Sequence, residues 1–185
     1  MSADQPGADA RSVAIVVMGV SGSGKSTIAG RLADRLGWTA TEADDLHSPA
    51  NIAKMAAGTP LTDADRAPWL RLVGRRIDAT AGHQVLTCSA LRRRYRDLLR
   101  TARSRVVFLH LDGSPATLGA RLSQRRDHFM PPSLLRSQLA ALEPLDVDED
   151  GVRVDVSGTP SEIVERALVA LGAVGVPVGS SPHVR

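Results

Sequence analysis

The strongest chemical signal in the chain is nine residues long: "GVSGSGKST", residues 19–27. Its glycines let successive backbone N–H groups turn toward one point, Lys25 adds a flexible cation and Ser26 a hydroxyl. The spacing is G-x-x-x-x-G-K-[ST], after an apolar run and ahead of an amphipathic one, which is the context in which such a loop cradles nucleotide phosphates at a helix N-terminus. The expected nucleotide contacts are therefore Gly19, Val20, Ser21, Gly22, Ser23, Gly24, Lys25, Ser26 and Thr27. Lys25 should reach the β- and γ-phosphates of ATP, and the Ser26 hydroxyl should ligate Mg²⁺. A second stretch, "EADDLH" at 42–47, crowds three carboxylates and a histidine into six residues. Either it is a solvated turn, or its acids hold a proton or a metal-bound water beside the phosphates.

Two arginine groups add to this. "SALRRRYRDLLR" opens a helix with Arg92, Arg93, Arg94 and Arg96 in its first turns. Cations there oppose the helix macrodipole, and Arg92 and Arg96 are like charges at i,i+4, so an anionic ligand is the expected reason for them. "RLSQRRDHFMPP" places Arg121 and Arg125 on one helical face, with Arg126 next and Pro131–Pro132 as a stop. Cationic residues on a segment ended by prolines suit a lid that closes over ATP and excludes water. Arg125 is the expected stabiliser of charge on the transferring phosphoryl group.

The elements that must position these groups read as alternating strands and helices. Strands are expected at 12–18, 38–43, 84–88, 105–111 and 152–156, and helices at 25–36, 48–57, 68–80, 91–102, 115–126, 132–142 and 160–171. The strands are nearly all apolar rather than alternating, which calls for a parallel sheet buried on both faces. That is an α/β, three-layer architecture: a five-stranded parallel sheet, helices on both faces and a mobile lid at about 121–136, with the site at the carboxyl ends of the strands. "GTPSE" makes Thr159 an N-cap, Pro160 the first helical residue and Glu162 its capping-box partner. Pro68 is expected to open the helix that carries Trp69, leaving "LTDADRA" as a loop. Residues 1–11 and 173–185 are expected to be disordered tails around a single domain at 12–172.

Composition narrows the class. The chain has 185 residues, 43% hydrophobic and 23% charged, with a formal net charge of +3. The pI of 9.7 overstates that charge: apart from Lys25 and Lys54 the basic side chains are arginines, which keep their proton below about pH 12. Five aromatic residues give no stacking platform for nucleic acid. Cys88 cannot form an internal disulfide and reads as a small buried hydrophobe. Neither a signal peptide nor a run near the ~20 apolar residues of a membrane span is visible, so a cytoplasmic protein without membrane or nucleic-acid partners is expected.

At this point the chain resembles one family, the small gluconokinases that phosphorylate D-gluconate with ATP. The resemblance is carried by "MGVSGSGKST", "DDLHSPANIAKMAAGTPLTDADRAPWL", "CSALRRRYRDLLR", "RDHFMPPSLLRSQLAALEPL" and "VDVSGTPSEIVERAL", over about residues 13–170. It implies a fold like that of the shikimate and nucleoside-monophosphate kinases, Mg²⁺ with ATP, and a homodimer. It implies that Asp44, at the end of the second strand, faces the acceptor hydroxyl and the metal, and takes the proton of the gluconate 6-hydroxyl or holds a Mg²⁺ water. Glu42 and Asp45 should then point elsewhere, since neighbours on a strand alternate. His47 should meet substrate hydroxyls or else cap the next helix. Arg66, Arg92 and Arg96 are candidates for the substrate carboxylate, joined by His128, and the adenine should rest near 157–160 against the Arg121 stem. Two departures stand out: Ala43 where the family reads glycine before Asp44, and Asp127 where it reads glycine before "HF". The rival readings are a related kinase acting on shikimate or a nucleoside monophosphate, and a nucleotide-binding module that uses its arginines on nucleic-acid backbone.

Overall fold

A computed structural model of the chain describes residues 11–123 and 132–179. The N-terminal tail and the centre of the expected lid, with Arg125, Arg126, Asp127 and His128, lie outside the described residues.

Five strands, β1 (Val13–Met18), β2 (Thr39–Glu42), β3 (Gln84–Thr87), β4 (Arg105–Asp112) and β5 (Gly151–Asp155), form one sheet in the order β2-β3-β1-β4-β5. Every pairing is parallel. Strands β1 and β3 are buried at each position, and β1 accordingly reads as a continuous apolar run. Alternate side chains of β1 feed two separate cores. Ile15 and Val17 pack with Ile28 and Leu32 of α1 (Lys25–Leu36) and with Ile163 and Leu171 of α7 (Pro160–Ala173). Val16 and Met18 pack on the other face with Trp69 and Val73 of α3 (Asp63–Ala79) and Leu99 of α4 (Arg93–Leu99). A third, small cluster of Val20, Leu91, Leu118 and Leu135 ties the phosphate loop to α5 (Pro115–Ser123) and α6 (Pro132–Ala141). The strand order reverses at β1, so the crevice at its carboxyl end is the natural ligand site.

Two expectations about boundaries are corrected. Helix α3 begins at Asp63, ahead of Pro68, which lies inside it. Thr62 is the cap: its Oγ1 accepts from Asp65 N–H at 3.2 Å, and Asp65 Oδ2 accepts from Thr62 N–H at 2.9 Å. This capping box satisfies the early orphan donors, and Pro68 then deprives only the Ala64 carbonyl of its usual partner. At the other end the chain does not become disordered at 173. Val176 is buried, Val174 and Val178 pack beside it, and Arg105 donates to the carbonyls of Val174 (2.7 Å) and Gly175 (3.2 Å). A Val-x-Val-x-Val spacing gives this segment one apolar face, enough to hold it to the core. Among the described residues no helix is long and apolar enough to cross a membrane.

Candidate active site

The phosphate loop has the geometry its spacing calls for. Gly24 caps α1 at φ 93°, and Gly22 sits at φ 84°, where a Cβ would fall 2.8 Å from Leu122 Cγ and 2.9 Å from Leu118 O. Only glycine fits both that angle and that approach. No acid occupies the first turn of α1, so its dipole is left to a bound anion. Lys25 folds back over the loop, its Nζ donating to Val20 O at 3.2 Å. Beside the loop a cavity of about 280 Å³ is lined by Gly22, Gly24, Thr27, Arg121, Pro160 and Ile163. Arg121 donates to Val156 O at 2.6 Å, which brings its stem against the 157–160 turn. Loop, arginine and turn thus border one cavity.

The acidic stretch departs from expectation at Glu42. Its Oε2 accepts from Thr87 Oγ1 at 2.6 Å and from Ser26 Oγ at 3.2 Å, so it points toward the phosphate loop and not away. The reason is local: β2 ends at Glu42 and a 3₁₀ turn runs from Ala43 to Leu46, so strand alternation cannot be carried across this boundary. Ala43 is fully buried, and its carbonyl accepts from Trp69 Nε1 at 2.7 Å. Asp44 stands at the mouth of the crevice with its side chain 68% exposed. His47 does not cap the next helix, α2 (Pro49–Ala56); Ser48 does, accepting from Asn51 N–H at 3.2 Å. The His47 ring instead stacks on Trp69 at 4.1 Å between centroids and holds Nε2 4.0 Å from Asp44 Oδ1. Burial pushes its pKa below the usual value, with the Asp44 charge opposing and Arg66 adding to the shift. Cys88 is buried, and desolvation pushes its thiol up to about 12, which keeps it an unreactive core residue.

A second cavity, about 230 Å³, opens beside this crevice and is lined by Leu61, Arg66, Leu91, Arg92, Ser137 and Gln138, among others, with no carboxylate in its wall among the described residues. Arg66 lies on the first turns of α3 rather than in a loop. Its NH1 donates to Leu61 O, and its guanidinium stands 5.8 Å from the Tyr95 ring centroid. Arg92 comes no closer than 3.9 Å to Asp63. The Asp63 carboxyl is held below its ordinary pKa, first by the Tyr95 hydroxyl and then by Arg94, Arg92 and Arg66.

Arg96 is a correction. Its side chain is wholly buried and cannot meet a substrate. Nε and NH2 donate to the two Glu149 carboxylate oxygens at 2.6 and 2.8 Å, and the remaining donors go to the carbonyls of Ala90, Leu91, Glu143 and Pro144. Its neighbours are also taken: Arg93 binds Asp146 and Asp148 at 3.1 and 2.7 Å, and Arg94 binds Asp63. The Glu143 carboxylate accepts from Arg93 N–H at 2.6 Å. Helix α4 therefore has acids at its N-terminus after all, supplied from some fifty residues away. Of the four arginines only Arg92 lines the cavity.

The sequence reading had not singled out Glu42 as a partner of Ser26, the acids at 143–149, or Gln138. The Gln138 carboxamide oxygen accepts from the phosphate-loop Ser21 N–H at 2.6 Å. Its place within "SLLRSQ" was the only available signal, and that carries no chemistry by itself.

Known proteins resemble the chain over most of its length. A family model described as an AAA domain matches residues 15–145. The chain is 52% identical over 157 residues to a gluconokinase of Gluconobacter oxydans (strain 621H), covering 83% of this chain and 88% of that protein. The structure of a sugar kinase from Janibacter sp. HTCC2649 superposes with a TM-score of 0.84 at 50% identity, covering 91% of this chain and 99% of that one. A gluconokinase structure from Sinorhizobium meliloti 1021 gives 0.81 at 47% identity, covering 87% and 92%.

Proposed function

The chain belongs to the gluconokinase family and to the AAA-domain family of nucleotide-binding folds, and from that premise we infer that it transfers the γ-phosphoryl group of ATP to the 6-hydroxyl of D-gluconate, giving 6-phospho-D-gluconate and ADP. The observation that carries the reading is a juxtaposition: a phosphate loop beside a cavity whose charged lining, among the described residues, consists of Arg66 and Arg92. A nucleoside monophosphate would need room for a base and a dianion, whereas a carboxylate with a short polyol chain fits two cations and a wall otherwise neutral.

In this reading the carboxylate binds Arg66 and Arg92, which fixes the acceptor by charge-assisted hydrogen bonds. The far hydroxyl then approaches Asp44. Its oxygen attacks Pγ in line, the bond from Pγ to the β-phosphate oxygen breaks, ADP leaves with the electron pair, and the hydroxyl proton passes to the Asp44 carboxylate. Lys25 and the loop N–H groups offset charge on the phosphate oxygens. The transition state is loose, so positioning and neutralisation contribute more than the strength of the base. His47, neutral because buried, orients Asp44 from the Trp69 side. Arg125, expected to stabilise the transferring phosphoryl group, and His128, expected at the substrate, lie outside the described residues.

Mg²⁺ fits the donors present. Ser26, Glu42 and Asp44 supply oxygen only, and among the described residues no group of three or more Asp, Glu, His or Cys forms a protein cage; a magnesium ion held largely by phosphate and water needs no more. When bound it would neutralise charge on the β- and γ-phosphates. A homodimer is proposed from the family resemblance and a cytoplasmic location from the sequence reading above, and sedimentation of the purified chain tests the first.

The deciding experiment is ADP release from Mg-ATP with D-gluconate, 2-ketogluconate, shikimate, glucose, AMP or no acceptor. Turnover with gluconate above all others is expected. Turnover with shikimate or AMP and none with gluconate would sink the reading.

A further inference from the structure

Among the described residues, Gln138 is the one side chain of the acceptor cavity that bonds to the phosphate loop: it lines that cavity while its Oε1 accepts from Ser21 N–H at 2.6 Å. A carboxamide carries one acceptor oxygen and two N–H donors. The oxygen is committed to the loop, and no described residue accepts from Nε2. Nor is the bond needed merely to seat α6, because Leu135 is buried in the cluster with Val20 and Leu91, Leu139 packs against it, and Glu143 N–H donates to Leu91 O at 2.8 Å.

We propose that Gln138 orients the acceptor, its Nε2 donating to a hydroxyl of the polyol chain while its Oε1 holds Ser21 of the phosphate loop. The proposal rests on the gluconate reading and deepens it. With both cations of the cavity at Arg66 and Arg92, the acceptor's anionic end is placed there, and its uncharged end falls to neutral groups on the phosphate-loop side. A neutral amide suits that boundary. It can bond a backbone N–H and a sugar hydroxyl together without adding negative charge where the γ-phosphate arrives. A glutamate of the same shape would still accept from Ser21, but it would lack the donor and repel the phosphate. The ligand class that follows is an open-chain polyhydroxy carboxylate, held by its two ends.

Gln138→Glu and Gln138→Leu, made in the full chain, test this. In both variants kcat/KM for gluconate should fall by about 30-fold, as expected when a positioned hydrogen bond to a substrate hydroxyl is lost. In Gln138→Leu, which adds no charge, the KM for ATP should stay within about threefold, and in both variants the melting temperature should hold. Gln138→Glu is the sharper of the two because it keeps the Ser21 bond. A Gln138→Glu enzyme with kcat/KM for gluconate within twofold of wild type would overturn the proposal. A parallel loss of acceptor affinity, ATP affinity and melting temperature would also overturn it, marking the bond as scaffold only. Wild-type turnover of gluconate, run alongside, separates failure of this inference from failure of the functional reading.

Discussion

The phosphate loop and the N-terminus of α4 present the same problem, charged residues at the start of a helix, and solve it by opposite routes. In the loop the solution is local. Nine consecutive residues set the φ angles, leave the first turn of α1 free of acids and place Lys25 over the anion site. At α4 the solution comes from a distance: Arg93, Arg94 and Arg96 are neutralised by Asp63, Asp146, Asp148 and Glu149. Both sequences look like anion sites, but only the first is one throughout. Like charges clustered at a helix start report an unmet electrostatic demand without saying whether a ligand or the rest of the chain meets it.

The comparison is tested most severely at its ends. Lys25→Ala, in the local region, should lower the rate of ADP release by about 10³-fold by removing charge compensation at the phosphates, with little change in melting temperature. Arg96→Ala should do the reverse. Removing one partner of a buried ion pair leaves Glu149 charged and unsatisfied, which costs about 3–5 kcal/mol of stability, read from the shift in the denaturant midpoint. An Arg96→Ala protein with unchanged stability and a raised KM for gluconate would return Arg96 to the substrate and undo the contrast.

These two residues also mark how far the sequence was legible. The parallel sheet, the helices on both faces and the loop were readable because each depends on periodicity or on contiguous spacing: the burial of β1 at every position is written in its composition. The role of Arg96 was not, because its partners at 143–149 are reached only when the chain returns after α6, and nothing in "RRRYR" encodes that return. Glu42 was lost for a different reason. Side-chain direction was carried across a boundary where a strand becomes a 3₁₀ turn, and a one-residue error there exchanges the two faces. Pro68 misled because a good cap at Thr62 outweighed a proline that prefers the first position.

Asp44 sits between the two regimes, on a turn set locally but beside a histidine held by the distant Trp69. Asp44→Asn should reduce kcat by about 10²-fold, the usual scale for a positioned proton acceptor, while the KM for ATP changes little. A kcat unchanged in this variant would remove Asp44 from the proton path and leave Glu42 as the carboxylate nearest Ser26. Arg92→Ala tests the one α4 arginine assigned to the cavity. Its KM for gluconate should rise by about tenfold or more, as for a lost charge-assisted bond, with stability unchanged because its side chain is 38% exposed.

The smallest effect concerns two histidines, one on each side of the comparison. His47, in the site, and His110, on β4, are 8% and 3% exposed. Burial lowers both pKa values; Asp44 opposes the shift and Arg66 adds to it at His47, while Asp112 opposes and Arg153 and Arg96 add at His110. A histidine whose folded pKa lies below its unfolded value of about 6.5 is protonated first in the unfolded chain. Stability is therefore complete above about pH 6.5, falls as the pH drops from there toward the lowered folded value, and levels off beneath it. At Glu149 burial raises the pKa, but the bonds from Arg96 and from Asp146 N–H together outweigh it and leave the carboxyl below its ordinary value, so its contribution persists through that window and is lost only as the pH falls below the ordinary carboxylate range. Acid unfolding should thus proceed in two steps, the histidines first and the distant ion pair second. His110→Leu separates them. His110 Nδ1 has no hydrogen-bond partner among the described residues, so an apolar replacement breaks no bond at that atom. The denaturant midpoint measured between about pH 7.5 and 5.5 should lose part of its slope in this variant, while the lower step remains. If the upper slope is unchanged, His47 alone carries the first step and the early acid sensitivity belongs to the site.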